Sequence, residues 1–189
     1  MQPNIDLALE KGVLLVSSPD NPIDLYFQSV VLLCEHSEAG SFGLMINKPC
    51  HIETVDKRST IKNLNHPKIQ YRFGGALEQH QIMLLHTSPS YPGSTFSLLD
   101  KVYLGGDMQT LSKILHEEEA REVFLCFGYT GWEANTLEKQ VEESLWLKYP
   151  GSSDLIFKTE STKLWSTILY EMGGKYKTLS QMPQDLSQN

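Results

Sequence analysis

Cysteine is sparse in this chain. Its three thiols, Cys34, Cys50 and Cys126, cannot all pair. Cys34 and Cys126 stand inside apolar runs, where a free thiol behaves as a small hydrophobe. A disulfide framework is excluded, and a reducing cytoplasm is the compartment expected. Long apolar runs are missing too: nothing approaches the ~18 residues of a membrane span. Met1 to Asp6 lacks the basic-then-apolar order of a secretory signal. Positive charge is in deficit, and a net charge of −7 repels nucleic acid and anionic membrane. One segment departs from this balance: Lys48, Lys57, Arg58, Lys62, Lys68 and Arg72 are offset there only by Glu53 and Asp56. Paired zinc-ligand spacing is absent, since Cys34, His36 and Cys50-His51 fall at the wrong intervals. No metal and no cofactor is expected. There is no internal repeat and no low-complexity tract.

What is present is organised around Val123-Phe124-Leu125-Cys126-Phe127. These residues are apolar on both alternating faces, as in a strand covered on both sides. Gly128 and Gly131 read as the bracket of a sharp turn, since glycine reaches positive φ without steric cost. Asn135 with Glu138 reads as a capping box, opening a helix over 135–148 whose stripe is Leu137, Val141 and Leu145 and whose stop is Pro150-Gly151. Gly128 to Gly131 lacks the central serine of a nucleophile elbow and the following Lys-Ser/Thr of a phosphate loop.

At 189 residues the chain is long enough for one domain with a proper core, 1–189. A polar leader over 1–11 and a polar tail over 175–189 are open to mobility. The fold class expected is α+β: coiled, mixed β-sheet with flanking helices. Strands are predicted at Gly12–Val16, Phe27–His36, Phe42–Asn47, Ile69–Phe73, Gln81–His86, Val102–Leu104 and Leu155–Phe157. A short helix is permitted near Ile61 to Leu64. Thr87 to Phe96 reads as a loop. Asp107 caps a helix carrying Leu111, Ile114 and Leu115, which ends early because Glu117 to Glu119 oppose the helix dipole. A last helix spans Lys163–Met172, stopped by Gly173-Gly174.

Several stretches, in order, resemble the bacterial YqgE/AlgH family: Phe27-Gln28-Ser29-Val30, Cys34-Glu35-His36, Gly43 to Pro49, Gly74-Gly75, Leu85-His86, Gly128-Tyr129-Thr130-Gly131-Trp132, Leu137-Glu138, Trp146-Leu147, Trp165 and the closing Asp185 to Asn189. The resemblance covers nearly the whole chain. It implies a compact cytoplasmic α+β protein of a kind commonly labelled a transcriptional regulator, and it carries no catalytic residues or ligand. The usual Gly-Gly-Pro-Val is here Gly74-Gly75-Ala76-Leu77, and the usual Gly-Gln before Leu-Glu is Asn135-Thr136.

Nine residues are the candidate ligand contacts: His36, Asn47, Lys48, Gly74, Gly75, His86, Tyr129, Thr130 and Trp132. Glu35 and His36 are neighbours on a strand and point to opposite faces, so they do not form an acid–base pair. A loop of Ser37 to Gly40 pairs His36 with Ser41 and Val30 with Asn47, which sets His36 and Asn47-Lys48 at opposite ends of the hairpin. His86 reads as a hydrogen-bonded structural histidine, and Trp132 as a buried plug. The function expected is a non-catalytic cytoplasmic regulatory or binding protein with an unidentified small-molecule or protein partner. The alternatives are a DNA-associated transcriptional regulator and an enzyme. Neither tight nucleic-acid binding nor membrane association is expected, and the oligomeric state is left open.

Overall fold

Strand β8 (Val123–Glu133) is the member on which the sheet is assembled. The computed structural model describes residues 7–50, 66–89, 91, 94–117, 119 and 121–183. Strand β5 (Leu77–His86) runs antiparallel along one edge of β8. Along the other edge, β4 (Ile69–Phe73) lies parallel beside residues 123–127, and β3 (Gly40–Met45) antiparallel beside 130–133. Strands β2 (Val30–Ser37), β1 (Val13–Ser17) and β9 (Trp146–Pro150) continue outward from β3. Strands β7 (Val102–Gly105) and β6 (Thr95–Leu99) continue beyond β5. The described residues thus form one mixed nine-stranded sheet, in which β4 on β8 is the parallel pair.

The expected turn at Gly128 is not a turn. Strand β8 continues through it with Gly128 at φ 68°, a positive φ as expected of a glycine there, and the site is a backbone crossing. Gly74 N–H donates to the Phe127 carbonyl and Met45 N–H to the Gly74 carbonyl, both at 2.8 Å, so Gly74 joins β4 to β3 along β8. A Cβ on Gly74 would lie 2.2 Å from the Gly128 oxygen, and one on Gly75 2.1 Å from the Tyr129 carbonyl carbon. Only glycine lets the two backbones approach this closely.

The sheet curls into a half-barrel. Its concave face is one continuous cluster with residues from β1, β2, β3, β5, β6, β7 and β8, sealed by Ile156 and Phe157 of α3 (Ser153–Lys158) and by Leu164, Trp165, Ile168, Leu169 and Met172 of α4 (Ser161–Met172). The convex face divides in two. Helix α2 (Thr136–Glu142) sets Leu137 against Val13, Leu15, Val31 and Trp146, while α1 (Met108–Leu115) sets Leu111 and Ile114 against Val123 and Leu125. The curl brings the ends of the sheet together: Lys11 Nζ donates to the Ser97 carbonyl at 2.9 Å, and a Cβ on Gly12 would lie 3.0 Å from the Leu98 oxygen. Among the described residues no helix is long and apolar enough to cross a membrane.

Several local expectations are corrected. The helix expected over 135–148 ends at Glu142, and Trp146–Pro150 is strand β9. Its end is a Schellman turn: Leu145 N–H returns to the Gln140 carbonyl and Ser144 N–H to that of Val141, with Ser144 at φ 60°. Asn135 is at φ 61° and makes no side-chain cap, so the capping box is not formed. Leu155–Phe157 is helical, because Ser152 Oγ accepts from Leu155 N–H at 3.2 Å and starts α3. A strand, β6, begins inside the expected loop, at Thr95. The tail folds into α5 (Gly174–Leu179), and Tyr176, Leu179 and Met182 pack on the concave cluster. Asp107 caps α1 as expected, its Oδ1 accepting from Thr110 N–H at 2.8 Å. The possible helix near Ile61, together with His51, Lys57, Arg58 and Lys62, lies outside the described residues.

Candidate functional site

Most of the nine candidates are drawn into structural work. Asn47 is buried; its Oδ1 accepts from Val30 N–H at 2.7 Å and its Nδ2 donates to the Gln28 carbonyl at 2.8 Å. Lys48 Nζ donates to the Phe27 carbonyl at 2.6 Å, and burial lowers its ammonium pKa. Gly74 and Gly75 form the backbone crossing, and Thr130 Oγ1 reaches the Gly74 carbonyl there at 3.5 Å. Trp132 is 7% exposed, and its Nε1 donates to Gln140 Oε1 at 2.9 Å. His86 is fully buried and stacked on Tyr103; its Nδ1 accepts from Ser88 N–H at 3.2 Å. Burial pushes its imidazole down to about 4, against the opposing pull of Glu117. Cys126 is likewise inert, its thiol pushed up to about 12 by burial. Among the described residues no three His, Cys, Asp or Glu side chains gather as a metal site.

The remaining candidates, His36 and Tyr129, lie on opposite faces of the sheet around the β2–β3 hairpin. A bulge in β2 sets this region up. The register runs Leu33 opposite Gly43 and then Glu35 opposite Phe42, leaving Cys34 as the extra residue. Leu32 and Cys34 face the concave cluster and Val31 and Leu33 the convex one. Plain alternation would send Glu35 to the convex side. The bulge turns it to the same side as Phe42, which packs on the concave cluster. His36 then falls on the convex side opposite Ser41, as the hairpin loop predicted, while Val30 shifts out of its expected pairing with Asn47, Val31 standing opposite Met45.

On the convex side His36 Nδ1 and Ser41 Oγ share a hydrogen bond of 2.7 Å, and His36 Nε2 lies 3.7 Å from Glu138 Oε1. Glu138, read from sequence as half of a capping box, instead faces the hairpin across from His36. On the concave side two cavities share Glu35, Phe42 and Met83. One, of about 420 Å³, is also bounded by Ser37, Ser41, Gln81, Tyr129 and Trp132. The other, of about 540 Å³, is bounded by Lys11, Cys34, Leu98 and Leu104 among others, with Phe96 at its rim, 72% exposed. The Phe42 and Tyr129 rings meet edge to face at 6.0 Å. Sizes in this range are those of small-molecule sites, and barrel mouths are a common place for them. Sequence reasoning missed Phe42, Met83 and Leu98 as site residues because each carries the apolar signature of plain core. Glu35 was missed because a bulge leaves no mark in the hydrophobic pattern of β2.

The fold and the sequence both have relatives. The family model described as AlgH-like matches residues 14–177. A UPF0301 protein of Chlamydia pneumoniae is 43% identical over 181 residues, 96% of either chain. A UPF0301 protein of Chlorobaculum tepidum is 31% identical over 179 residues, 93% of this chain and 94% of the relative. Among solved structures, a crystal structure of a Corynebacterium diphtheriae protein superposes with a TM-score of 0.72 at 17% identity, covering 93% of this chain and 94% of that one. The solution structure of the AlgH protein from Pseudomonas aeruginosa gives 0.69 at 22% identity, covering 94% and 97%. At these identities the structural matches speak for the fold alone.

Proposed function

The chain belongs to the AlgH-like family, and from that premise we propose that it is a non-catalytic cytoplasmic binding protein whose ligand enters the mouth of the half-barrel. One observation carries this reading: the two adjoining cavities that share Glu35, Phe42 and Met83. Their walls include apolar and aromatic side chains, with Glu35 and Gln81 as polar groups that can orient a guest, a composition that suits a ligand site. The buried free thiols of Cys34 and Cys126 support a reducing compartment. Regulation, on this reading, follows from occupancy of the mouth. A screen of small apolar and aromatic fragments by NMR tests it. Shifts should concentrate on Phe42, Met83 and Tyr129 and vanish in Met83→Trp, which fills the space. Shifts spread over the surface, or unchanged in the filled variant, overturn it.

A second reading, an acyl-transfer enzyme, has one observation in its favour. Ser41, His36 and Glu138 stand in the order hydroxyl, imidazole, carboxylate, at 2.7 and 3.7 Å. Covalent labelling of Ser41 by a fluorophosphonate, lost in His36→Ala, would favour it over simple binding.

A further inference from the structure

We propose that the mouth is selective for a ligand bearing a protonated amine on an apolar chain. The inference rests on the binding reading above and adds the charge of the guest.

The bulge at Cys34 is the first argument. It turns one carboxylate, Glu35, to the side of Phe42, where both cavities border on it. One described cation borders this mouth, on the side of the larger cavity. Lys11 Nζ donates to the Ser97 carbonyl at 2.9 Å, where it holds the ends of the sheet together, and it borders only the larger cavity. Among the described residues lining the smaller cavity, the ionisable group other than tyrosine is Glu35.

The lining around Glu35 suits a cation for a second reason. Phe42 and Tyr129 offer aromatic rings, whose faces attract ammonium groups. Gln81 supplies a neutral oxygen that can accept from an ammonium N–H. The larger cavity, with Cys34, Met83, Leu98 and Leu104, supplies the apolar seat for the chain. The net charge of −7 favours the approach of cations from solution. An amine beside Glu35 with its chain among Leu98 and Leu104 uses both compartments, whereas a carboxylate there would meet Glu35 with like charge.

The test is a calorimetric and NMR titration of the full chain at neutral pH with n-octylamine, 1-octanol and sodium octanoate. The expected result is that octylamine binds at least about tenfold more tightly than either of the other two. Its advantage should shrink as salt is added. Glu35→Gln should remove that advantage, bringing octylamine down to the affinity of octanol. Glu35 is exposed, so this substitution leaves the core untouched. Three probes binding equally at Phe42, Met83 and Tyr129 would overturn the amine preference and leave the binding reading standing, as would octanoate binding best. No shift at those residues with any probe would overturn both.

Discussion

Gln140 Oε1 accepts from two indoles at once, Trp132 Nε1 at 2.9 Å and Trp146 Nε1 at 2.8 Å, whose rings stand 5.9 Å apart and nearly perpendicular. Gln140→Leu keeps the size and strands both donors. An unpaired buried donor costs about 1–3 kcal/mol, so equilibrium denaturation should show a loss of about 2 kcal/mol or more, with Gln140→Glu retaining most of it. Trp132→Ala should cost about 3–5 kcal/mol through the cavity it leaves. A loss below ~1 kcal/mol in either variant would mean that this face is looser than its packing indicates. His86 gives a pH dependence with a definite sign. Its Nδ1 is an acceptor for Ser88, so the proton of the neutral ring sits on Nε2, buried beside the Gly105 backbone. The folded ring protonates only near pH 4, against about 6.5 in an unfolded chain. Above pH 6.5 both states are neutral and the residue contributes no pH dependence. As the pH falls below 6.5 the unfolded state takes up a proton that the folded state refuses, and stability drops by about 3 kcal/mol by pH 4. Urea titrations from pH 7 to pH 4 on the wild type and His86→Phe should diverge by about that amount; parallel curves would remove His86 from the account of acid sensitivity.

At the scale of elements, helix α2 shows what the sequence disclosed and what it concealed. Leu137 was legible as a core residue and is fully buried. The extent of the helix was not legible, because both of its ends are set by backbone conformation at residues that do not advertise it. Asn135 and Ser144 both sit in the left-handed region, at φ 61° and 60°. Asparagine tolerates that region and serine does so less well, and the position of Ser144 in a Schellman turn is ordinarily glycine. The glycine usual at 135 in the family resemblance fits this conformation, and it needs no cap to explain it. Ser144→Gly should therefore stabilise the protein by about 0.5–1 kcal/mol, and Asn135→Gly should be neutral or slightly stabilising. Asn135→Ala should cost about 1 kcal/mol, through φ and not through a lost cap. Thermal unfolding of the three variants checks the account, and a clear loss on Asn135→Gly would restore the capping one. The same contrast runs through the other elements. Strands β1, β2, β4, β7 and the first half of β8 were legible because their apolar runs are bounded by breakers. Strand β6 was missed because Thr95 to Leu99 follows a Pro/Gly-rich stretch and finds its pairing only with β7. Segment 155–157 was misread because three apolar residues fit either period, and the Ser152 cap that decides for helix precedes them.

At the scale of the molecule, the basic stretch between Lys48 and Arg72 decides the expectation for DNA. Three of its six cations are described, and each is committed to the protein's own backbone. Lys48 Nζ donates to the Phe27 carbonyl at 2.6 Å, Arg72 Nε to that of Ile46 at 2.8 Å, and Lys68 Nζ to that of Leu115 at 3.4 Å. The Arg72 guanidinium also lies 4.2 Å from the centre of the Phe124 ring and is 5% exposed. These groups tie β4 and the end of the hairpin to the sheet, which leaves fewer of their N–H donors free for phosphate oxygens. The other three, Lys57, Arg58 and Lys62, fall outside the described residues. Three cations on a chain of net charge −7 are a small footing: phosphate contacts dominate affinity for duplex DNA, and specific complexes reach about 10⁻⁸ M or better at physiological salt. Fluorescence anisotropy with a mixed-sequence duplex should therefore show binding no tighter than the ~10⁻⁴–10⁻⁶ M of non-specific association near physiological salt. Whatever binding appears at low salt should fall steeply as salt is raised. A dissociation constant near 10⁻⁸ M, abolished by the triple substitution Lys57→Ala, Arg58→Ala and Lys62→Ala, would overturn this expectation and make those three residues DNA contacts.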